Sequence, residues 1–264
     1  MNKATKEKLA GSLTAETTEL LPFLPYLLQD FWELGSDPKA MAELIKNHLS
    51  LSEDTRVLDL ACGKGAVSVK IAQKLQVKVN GVDLIPEFID FAVQKAQEYG
   101  LADLCDFAVG DINEVVAREK DYDIVILGAV GDVLGNPTET LHKLKQTVKT
   151  GGYILIDESH LKDDGKPEDI QYKNYEYLSK KQWSRLFTES GLELVETISA
   201  SDLESSENLD SVSGMAAISQ RANELIEKHP DKKAMFEGYI RSQQSEYDDI
   251  DNKLENVVWI LRKL

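Results

Sequence analysis

The chain has 264 residues, of which 42% are hydrophobic and 29% charged, and its formal net charge is −16. These values are typical of a globular protein with one large domain or a domain plus an insertion, and the excess of acid disfavours binding to nucleic acid or an anionic membrane. The two cysteines, Cys62 and Cys105, form no CxxC pair, so neither a thiolate metal site nor a disulfide framework is indicated. The apolar run over 20–28 is short and contains two prolines, and we expect a cytoplasmic protein with no membrane span.

Helices are predicted first, over residues 14–49, in at least two pieces that the GSDP segment at 35–38 separates. From residue 56 onward, short apolar strands alternate with segments of helical spacing. The predicted strands cover residues 56–60, 77–84, 105–109, 122–129, 153–157, 192–198 and 257–261. The predicted helices cover 64–75, 86–99, a segment around 141–148, and 180–190, and two more, 215–228 and 231–250, lie between the last two strands.

This order of elements predicts an α/β fold: a Rossmann-like, mostly parallel sheet of seven strands with helices on both faces. Ligands of such sheets bind outside the carboxyl ends of the strands. If the sixth strand is parallel to the others, the last strand re-enters from the ligand side and is antiparallel. We therefore expect an N-terminal helical segment (1–50), a core (51–199 plus 254–264) and a helical cap over the ligand face (200–253).

The stretch VLDLACGKG at 57–65 places two glycines where the first strand turns into the first helix of the core. It lacks the spacing of a phosphate-binding P-loop, and it matches the dinucleotide pattern GxGxxG only in part, because Ser68 occupies the last position. Asp59, inside the strand, would repel a pyrophosphate and suits a ligand with an ammonium group and no phosphate. S-adenosylmethionine (SAM) is such a ligand, and this disfavours a nicotinamide oxidoreductase.

Several ordered motifs then resemble those of the class I SAM-dependent methyltransferases. VLDLACGKG resembles their first motif, with Ala61 where the first glycine usually falls. The resemblance continues through VNGVDL at 79–84, VGDI at 109–112 and YDIVILGAV at 122–130, and through GGYILIDES and YLSKKQWSRLFTESGLELVE. The resemblance covers roughly residues 50–199 and the last strand. Within that family, the sequence is loosely similar to the quinone-biosynthesis methyltransferases.

The resemblance implies SAM as the methyl donor, S-adenosylhomocysteine as the product and a small molecule as the acceptor. Asp59 and the backbone of residues 61–65 would hold the methionine end of SAM, and Asp83 would hold the ribose. The residues after the second and third strands would contact the adenine, and those after the fourth strand would line the methionine or methyl side. The implied cofactor-binding residues are Asp59, Ala61, Cys62, Gly63, Gly65, Asp83, Leu84, Ile85, Asp111, Ile112, Gly128 and Ala129. Asp83 could instead cap a helix, and Asp111 could be only a turn residue.

On the acceptor side the sequence offers candidates rather than a motif. His160 is the candidate general base, because the pKa of a histidine lies near neutrality, although a lone histidine at a strand end is more often structural. The candidate substrate contacts are Tyr26, Trp32, Asp132 and Tyr172. Tyr26 and Trp32 could equally be packing residues. No spacing of acids matches a metal site, so we expect no metal.

Two interpretations of the function stay open at this point. The [DNS]PP[YFW] motif of enzymes that methylate nucleic-acid amino groups is missing after the fourth strand, where the chain reads GAVGD. A small-molecule methyltransferase is therefore favoured, and the other reading is a SAM-binding sensor or interaction module without catalysis. We expect a monomer or a homodimer that binds neither nucleic acid nor membrane.

Overall fold

The computed structural model describes residues 2–163, 165–173, 175–199 and 211–264, so the first residues of the expected cap, 200–210, lie outside the described part. The N-terminal segment contains α1 (Lys3–Ser12), a 3-10 turn at Thr18–Phe23, α2 (Leu24–Leu27) and α3 (Pro38–His48). Asp37 caps α3: its carboxylate accepts the backbone N–H groups of Lys39 and Ala40, and Pro38 takes the first helical position.

Strands and helices then alternate along the chain. The strands are β1 (Arg56–Leu60), β2 (Lys78–Asp83), β3 (Cys105–Val109), β4 (Tyr122–Gly128), β5 (Val148–Leu161), β6 (Leu192–Ser199) and β7 (Leu254–Lys263). The helices are α4 (Ala66–Leu75), α5 (Pro86–Glu98), α6 (Ile112–Arg118), α7 (Pro137–Thr147), α8 (Lys180–Glu189), α9 (Ser211–Lys228) and α10 (Lys233–Asn252). Within the described residues, no helix combines the length and the apolar character needed to cross a bilayer.

The seven strands form one sheet in the order β3-β2-β1-β4-β5-β7-β6. The first five strands are parallel, and β7 lies antiparallel between β5 and β6. The predicted fold class is confirmed, including the antiparallel last strand. Strand order reverses between β1 and β4, so the carboxyl ends of these strands border the crevice where sheets of this kind bind ligands.

Two hydrophobic layers hold the sheet between its helices. On one face, α3, α4 and α5 pack with buried side chains such as Ile45, Ile71 and Ala96. On the other face, α6, α7 and α8 pack with Val115, Leu141 and Phe187. The two faces are apolar because parallel strands covered on both sides present alternate residues to each layer.

A third hydrophobic cluster, here the cap cluster, joins two segments that are far apart in sequence. It unites the N-terminal segment with α9 and α10, and its buried members are Ala10, Ala15, Leu20, Leu24, Leu27, Ile218, Ala222, Leu225, Phe236 and Tyr239. The two segments therefore form one hydrophobic layer above the carboxyl ends of the strands.

Three elements differ from the sequence-based expectation. α1 and α6 were not predicted, and β5 begins at Val148 rather than near residue 153 and runs on to Leu161. The backbone at Gly151 has a φ of +77°, and a Cβ at Gly152 would lie 2.9 Å from the Asp123 carbonyl oxygen. The glycine pair is thus a bend inside the strand and not the end of the preceding helix.

Candidate functional site

The loop after β1 has a tight left-handed path. Ala61, Gly63 and Gly65 have φ values of 55°, 53° and 74°. A Cβ on Gly65 would lie 2.6 Å from the Cβ of Ala92 on α5, so only glycine allows this approach. Gly65 stands at the N-terminus of α4, whose first backbone N–H groups are free of helical partners.

Asp59 is an acid buried in β1 beneath this loop. Its side chain is 2% exposed and accepts a 2.6 Å hydrogen bond from the Ser68 hydroxyl. Burial raises the pKa of Asp59 to about 7. No ion pair to Asp59 occurs within the described part of the chain. It lines a small cleft with Trp32, Cys62 and Gly128, where a positive charge would relieve its desolvation.

Asp83 ends β2 and connects three pieces of backbone. One carboxylate oxygen accepts the Gly63 N–H and the other accepts the Ile85 N–H, each at 2.9 Å. It is 7% exposed, and burial raises its pKa despite these hydrogen bonds. The carboxylate lines a cleft and keeps lone pairs that can accept further donors from that side.

Asp111 follows β3 and caps α6. One oxygen accepts the Asn113 N–H at 2.9 Å, and the other accepts the Thr5 hydroxyl of α1 at 3.2 Å. Asp111 is therefore the N-cap of a helix and not only a turn residue, and it also lies on the cleft wall. Lys8 of α1 also donates to the Val133 carbonyl, at 3.0 Å, so two hydrogen bonds hold α1 across the cleft.

A cleft, here the glycine-loop cleft, runs along these strand ends. α1 covers one side of it, and the β-strand ends form the other. Its walls include Thr5, Lys8, Ser12, Leu13, Leu34, Ala61, Gly63, Asp83, Leu84, Asp111, Ile112, Gly128 and Ala129. The smaller cleft at Asp59 shares Leu34, Ala61, Gly63 and Gly128 with it, so the two form one continuous groove.

Most of the cofactor-binding residues expected from the sequence lie on this groove. Cys62 lines the part beside Asp59, and it is buried and free, as is Cys105. Gly65 contributes through the left-handed turn that it forms before α4. Ile85 lies beneath the groove, where it packs on Leu28 and Phe88 and is 7% exposed.

Beyond the groove lies a larger space of about 620 Å³, here the chamber. It lies between the ends of β4 and β5, the N-terminal segment and helices α9 and α10. It meets the glycine-loop cleft at Ser12, Leu13, Leu34 and Ala129, which line both. A ligand in the cleft and a second molecule in the chamber would thus touch each other at this junction.

The residues expected on the acceptor side are dispersed. His160 is 2% exposed inside the sheet, where its Nδ1 lies 2.9 Å from the Leu161 carbonyl oxygen and its ring stacks on Trp259. It lines neither the cleft nor the chamber, so nothing in its placement favours a role as base. The longer course of β5 explains this, because His160 is part of the strand and not of the loop after it.

The other four candidates also lie at separate places. Trp32 lines the cleft at Asp59, and its Nε1 donates to the Lys64 carbonyl at 3.0 Å. Asp132 borders two shallow pockets beside the chamber. Tyr26 packs in the cap cluster and donates to Glu224, and Tyr172 is buried and donates to the Gly11 carbonyl at 2.8 Å.

Several wall residues carried no sequence signal. Thr5 and Lys8 come from α1 and Leu13 directly follows it, and the few apolar positions of this helix gave no helical pattern. Gln243 and Glu246 are polar positions of α10 that face the chamber. Tyr239, on α10, lines the chamber as well. Among the described residues, no group of three or more His, Cys, Asp or Glu side chains is arranged to hold a metal ion.

Comparison with known proteins gives consistent results. The model of a methyltransferase domain family matches residues 51–191. The chain is 32% identical over 116 residues to the putative methyltransferase YqeM of Bacillus subtilis, which covers 41% of this chain and 44% of that protein. It is 25% identical over 135 residues to the sterol 4-C-methyltransferase strm-1 of Caenorhabditis elegans, which covers 51% of this chain and 40% of that protein. The matched segments thus span less than half of either relative.

The architecture is also similar to that of solved structures. One is a SAM-dependent methyltransferase from Geobacter sulfurreducens in complex with S-adenosyl-L-homocysteine, with a TM-score of 0.73 and 21% sequence identity, covering 92% of this chain and 98% of that one. At this level of identity the likeness shows the fold alone.

Proposed function

The chain belongs to the methyltransferase domain family, and from this premise we propose that it is a SAM-dependent methyltransferase acting on a small-molecule acceptor. The observation that carries the proposal is the groove itself. Three carboxylates, Asp59, Asp83 and Asp111, lie along it beside a glycine loop. They would repel a pyrophosphate, and they suit a ligand that offers an ammonium, a ribose diol and an adenine amino group.

The residues fit SAM part by part. Asp59, with no ion pair in the described chain, would neutralise the ammonium. The Asp83 carboxylate would accept ribose hydroxyls while it holds the Gly63 N–H. Asp111 and the apolar side chains of Leu84 and Ile112 would surround the adenine. Gly128 and Ala129, at the end of β4, would face the methyl end, where the groove opens to the chamber.

SAM supplies an electrophilic methyl group on a sulfonium, so the chain needs mainly to align an acceptor and exclude water. The chamber is suited to both tasks. Its inner wall is formed by the ends of β4 and β5, and its outer wall by the N-terminal segment and the α9–α10 pair. The shared residues Leu13, Leu34 and Ala129 mark where acceptor and donor would meet.

Calorimetry provides the first test. We expect S-adenosylhomocysteine to bind the full chain with one site and NAD not to bind. Asp59→Asn keeps the shape and removes the charge, so it should weaken this binding by about tenfold, the effect of losing one charge-assisted contact. Tight binding of NAD without binding of S-adenosylhomocysteine would overturn the proposal.

A second measurement separates catalysis from mere binding. The chain is incubated with methyl-labelled SAM and a metabolite extract, and labelled products are located by mass spectrometry. Transfer of label to a small molecule, reduced in the Asp59→Asn variant at limiting SAM, is the expected result. Binding without any transfer would point to the sensor or interaction module instead.

A further inference from the structure

The wall of the chamber is strongly acidic. Five carboxylate residues line it, namely Glu33, Asp157, Glu158, Glu246 and Asp251. Among the described residues that line it, none is Lys, Arg or His. The residues outside the description, Met1, Asp164, Asn174 and 200–210, include no basic side chain either. An anionic acceptor would therefore meet only like charge in this space.

Four of these carboxylates, all except Glu33, have no cationic partner within the described chain. Glu33 is paired with Lys70, but Glu158 accepts only the Ser159 N–H, at 2.9 Å, and Glu246 accepts the Thr14 hydroxyl. Burial, together with repulsion from Asp132 and Glu246, raises the pKa of Glu158 to about 7, and burial also raises the pKa of Glu246. A positive charge between the two would relieve their desolvation and their mutual repulsion.

Both carboxylates stand close to the junction with the cleft. Thr14, which donates to Glu246, follows Leu13, and Leu13 lines both spaces. Glu158 follows Asp157, whose carbonyl accepts the Ala129 N–H at 2.9 Å. The acidic part of the chamber is thus the part where an acceptor atom would meet the methyl group.

Aromatic side chains also contribute to the wall of the chamber. Phe31, Tyr175, Tyr177, Tyr239 and Tyr247 line it. Tyr239 is 1% exposed, and its hydroxyl finds no hydrogen-bond partner among the described residues. A buried hydroxyl normally has a partner, so this one is available to a ligand. Ring faces together with carboxylates are the usual surroundings of a bound ammonium group.

We propose that the methyl acceptor is a basic amine, which binds as its ammonium between Glu158 and Glu246 with Tyr239 as a further polar contact. This inference rests on the proposed methyl transfer. The ammonium first gives one proton to the Glu158 carboxylate, which leaves a neutral amine with a free electron pair. That pair forms the new N–C bond while the S–C bond breaks, so the positive charge passes from sulfur to nitrogen and the sulfur leaves as a thioether.

Three probes of the same shape test the charge preference, measured by calorimetry on the chain saturated with S-adenosylhomocysteine. They are 2-phenylethylamine, the neutral 2-phenylethanol and the anionic 3-phenylpropionate. We expect the amine to bind at least about tenfold more tightly than either of the others, in line with the strength of a part-buried charge contact. Equal or tighter binding of the alcohol or the carboxylate overturns the inference, and so does the absence of binding by all three.

Two variants test whether the charge preference arises from the chamber. Glu246→Gln should weaken binding of the amine about tenfold and leave the alcohol and S-adenosylhomocysteine unchanged. Asp248→Asn removes one negative charge from the same helix at a position outside the chamber wall, and it should leave all three ligands unchanged. Equal loss in both variants would mean that net charge, and not the chamber, attracts the amine.

The outcomes keep the two proposals apart. If S-adenosylhomocysteine fails to bind, the proposed methyltransferase function fails with it. If S-adenosylhomocysteine binds and label from SAM appears on oxygen, carbon or sulfur of the product, only the amine inference fails. Label on nitrogen of a basic metabolite, together with the charge preference of the probes, supports both.

Discussion

Asp83 does more than contribute an acid to a motif. Its two carboxylate oxygens accept the N–H groups of Gly63 and Ile85, so one side chain fixes the glycine loop and the turn after β2 against each other. The positions of Asp59, Asp83 and Asp111 could be predicted because each follows from a local pattern of strand, glycine and acid. The buried environment of His160 could not be predicted, because no pattern in the sequence indicates that β5 continues past residue 157.

Asp83→Asn replaces one accepting oxygen by an amide NH2, which cannot accept the backbone N–H that faces it. An unsatisfied buried donor costs about 1–3 kcal/mol, so we expect S-adenosylhomocysteine to bind at least about tenfold more weakly, with a lower unfolding temperature. Calorimetry and a thermal melt measure the two effects.

Asp106→Asn on the exposed surface of β3 serves as the matched control, since it removes a similar charge from the neighbouring strand. Unchanged affinity in Asp83→Asn, or an equal loss in Asp106→Asn, would show that the carboxylate does not hold the loop for its ligand.

At the scale of elements, the N-terminal segment is attached to the glycine loop by Lys64. The side chain is 4% exposed, and its Nζ donates to the carbonyls of Leu28 and Phe31, each at 2.6 Å. Trp32 donates back to the Lys64 carbonyl. The lysine that stands between the two glycines of the loop thus links this segment to the core.

Lys64→Met keeps the aliphatic stem but leaves both carbonyls without their charged donor. Charged hydrogen bonds contribute about 1.5–3 kcal/mol each, so we expect a drop of about 2–4 kcal/mol in the free energy of unfolding of the segment and faster amide exchange over residues 28–34. Hydrogen exchange with mass spectrometry measures this change.

Lys74→Met, on the exposed end of α4, is the control for loss of a lysine from the same region. Equal exchange rates in the wild type and Lys64→Met would contradict this role of Lys64.

Sequence reasoning identified most elements of the core because strands covered on both faces and amphipathic helices have clear periodicity. It failed at α1, which has few apolar residues and is held in part by polar contacts, such as Thr5 to Asp111 and Lys8 to Val133. Such contacts depend on partners more than a hundred residues away, so no local pattern records them. The joint packing of the N-terminal segment with α9 and α10 is hidden for the same reason.

At the scale of the whole molecule, acid is concentrated where the ligands are proposed to bind. Burial raises the pKa of Asp59, Asp157 and Glu158 to about 7 each. Between about pH 4 and about pH 7 the folded chain therefore keeps protons that the unfolded chain has released. Stability falls with rising pH wherever the folded state binds more protons, so it should fall through this window and level off above it.

We accordingly expect the chain without ligand to melt at least about 3 °C lower at pH 7.5 than at pH 5.5, because each 1 kcal/mol corresponds to a few degrees in a chain of this size. Asp157→Asn should reduce this difference in melting temperature, because it removes one of the carboxyl groups whose pKa is raised. The amide oxygen of the asparagine can still accept the Asp37 N–H, which lies 2.8 Å from the Asp157 carboxylate. Scanning calorimetry at the two pH values measures this, and a melting temperature that rises with pH would refute it.

The position of β7 has a consequence for synthesis on the ribosome. Among the described strands, β6 pairs only with β7, and β7 also pairs with β5. The edge of β5 that faces β7 therefore has no neighbouring strand until residues 254–263 have been synthesised. The N-terminal segment waits nearly as long, because its partners in the cap cluster lie at residues 218–239. During translation the early βαβ units can assemble, but the exposed edge of β5 and the apolar N-terminal segment remain uncovered, and these are the surfaces on which a chaperone would act.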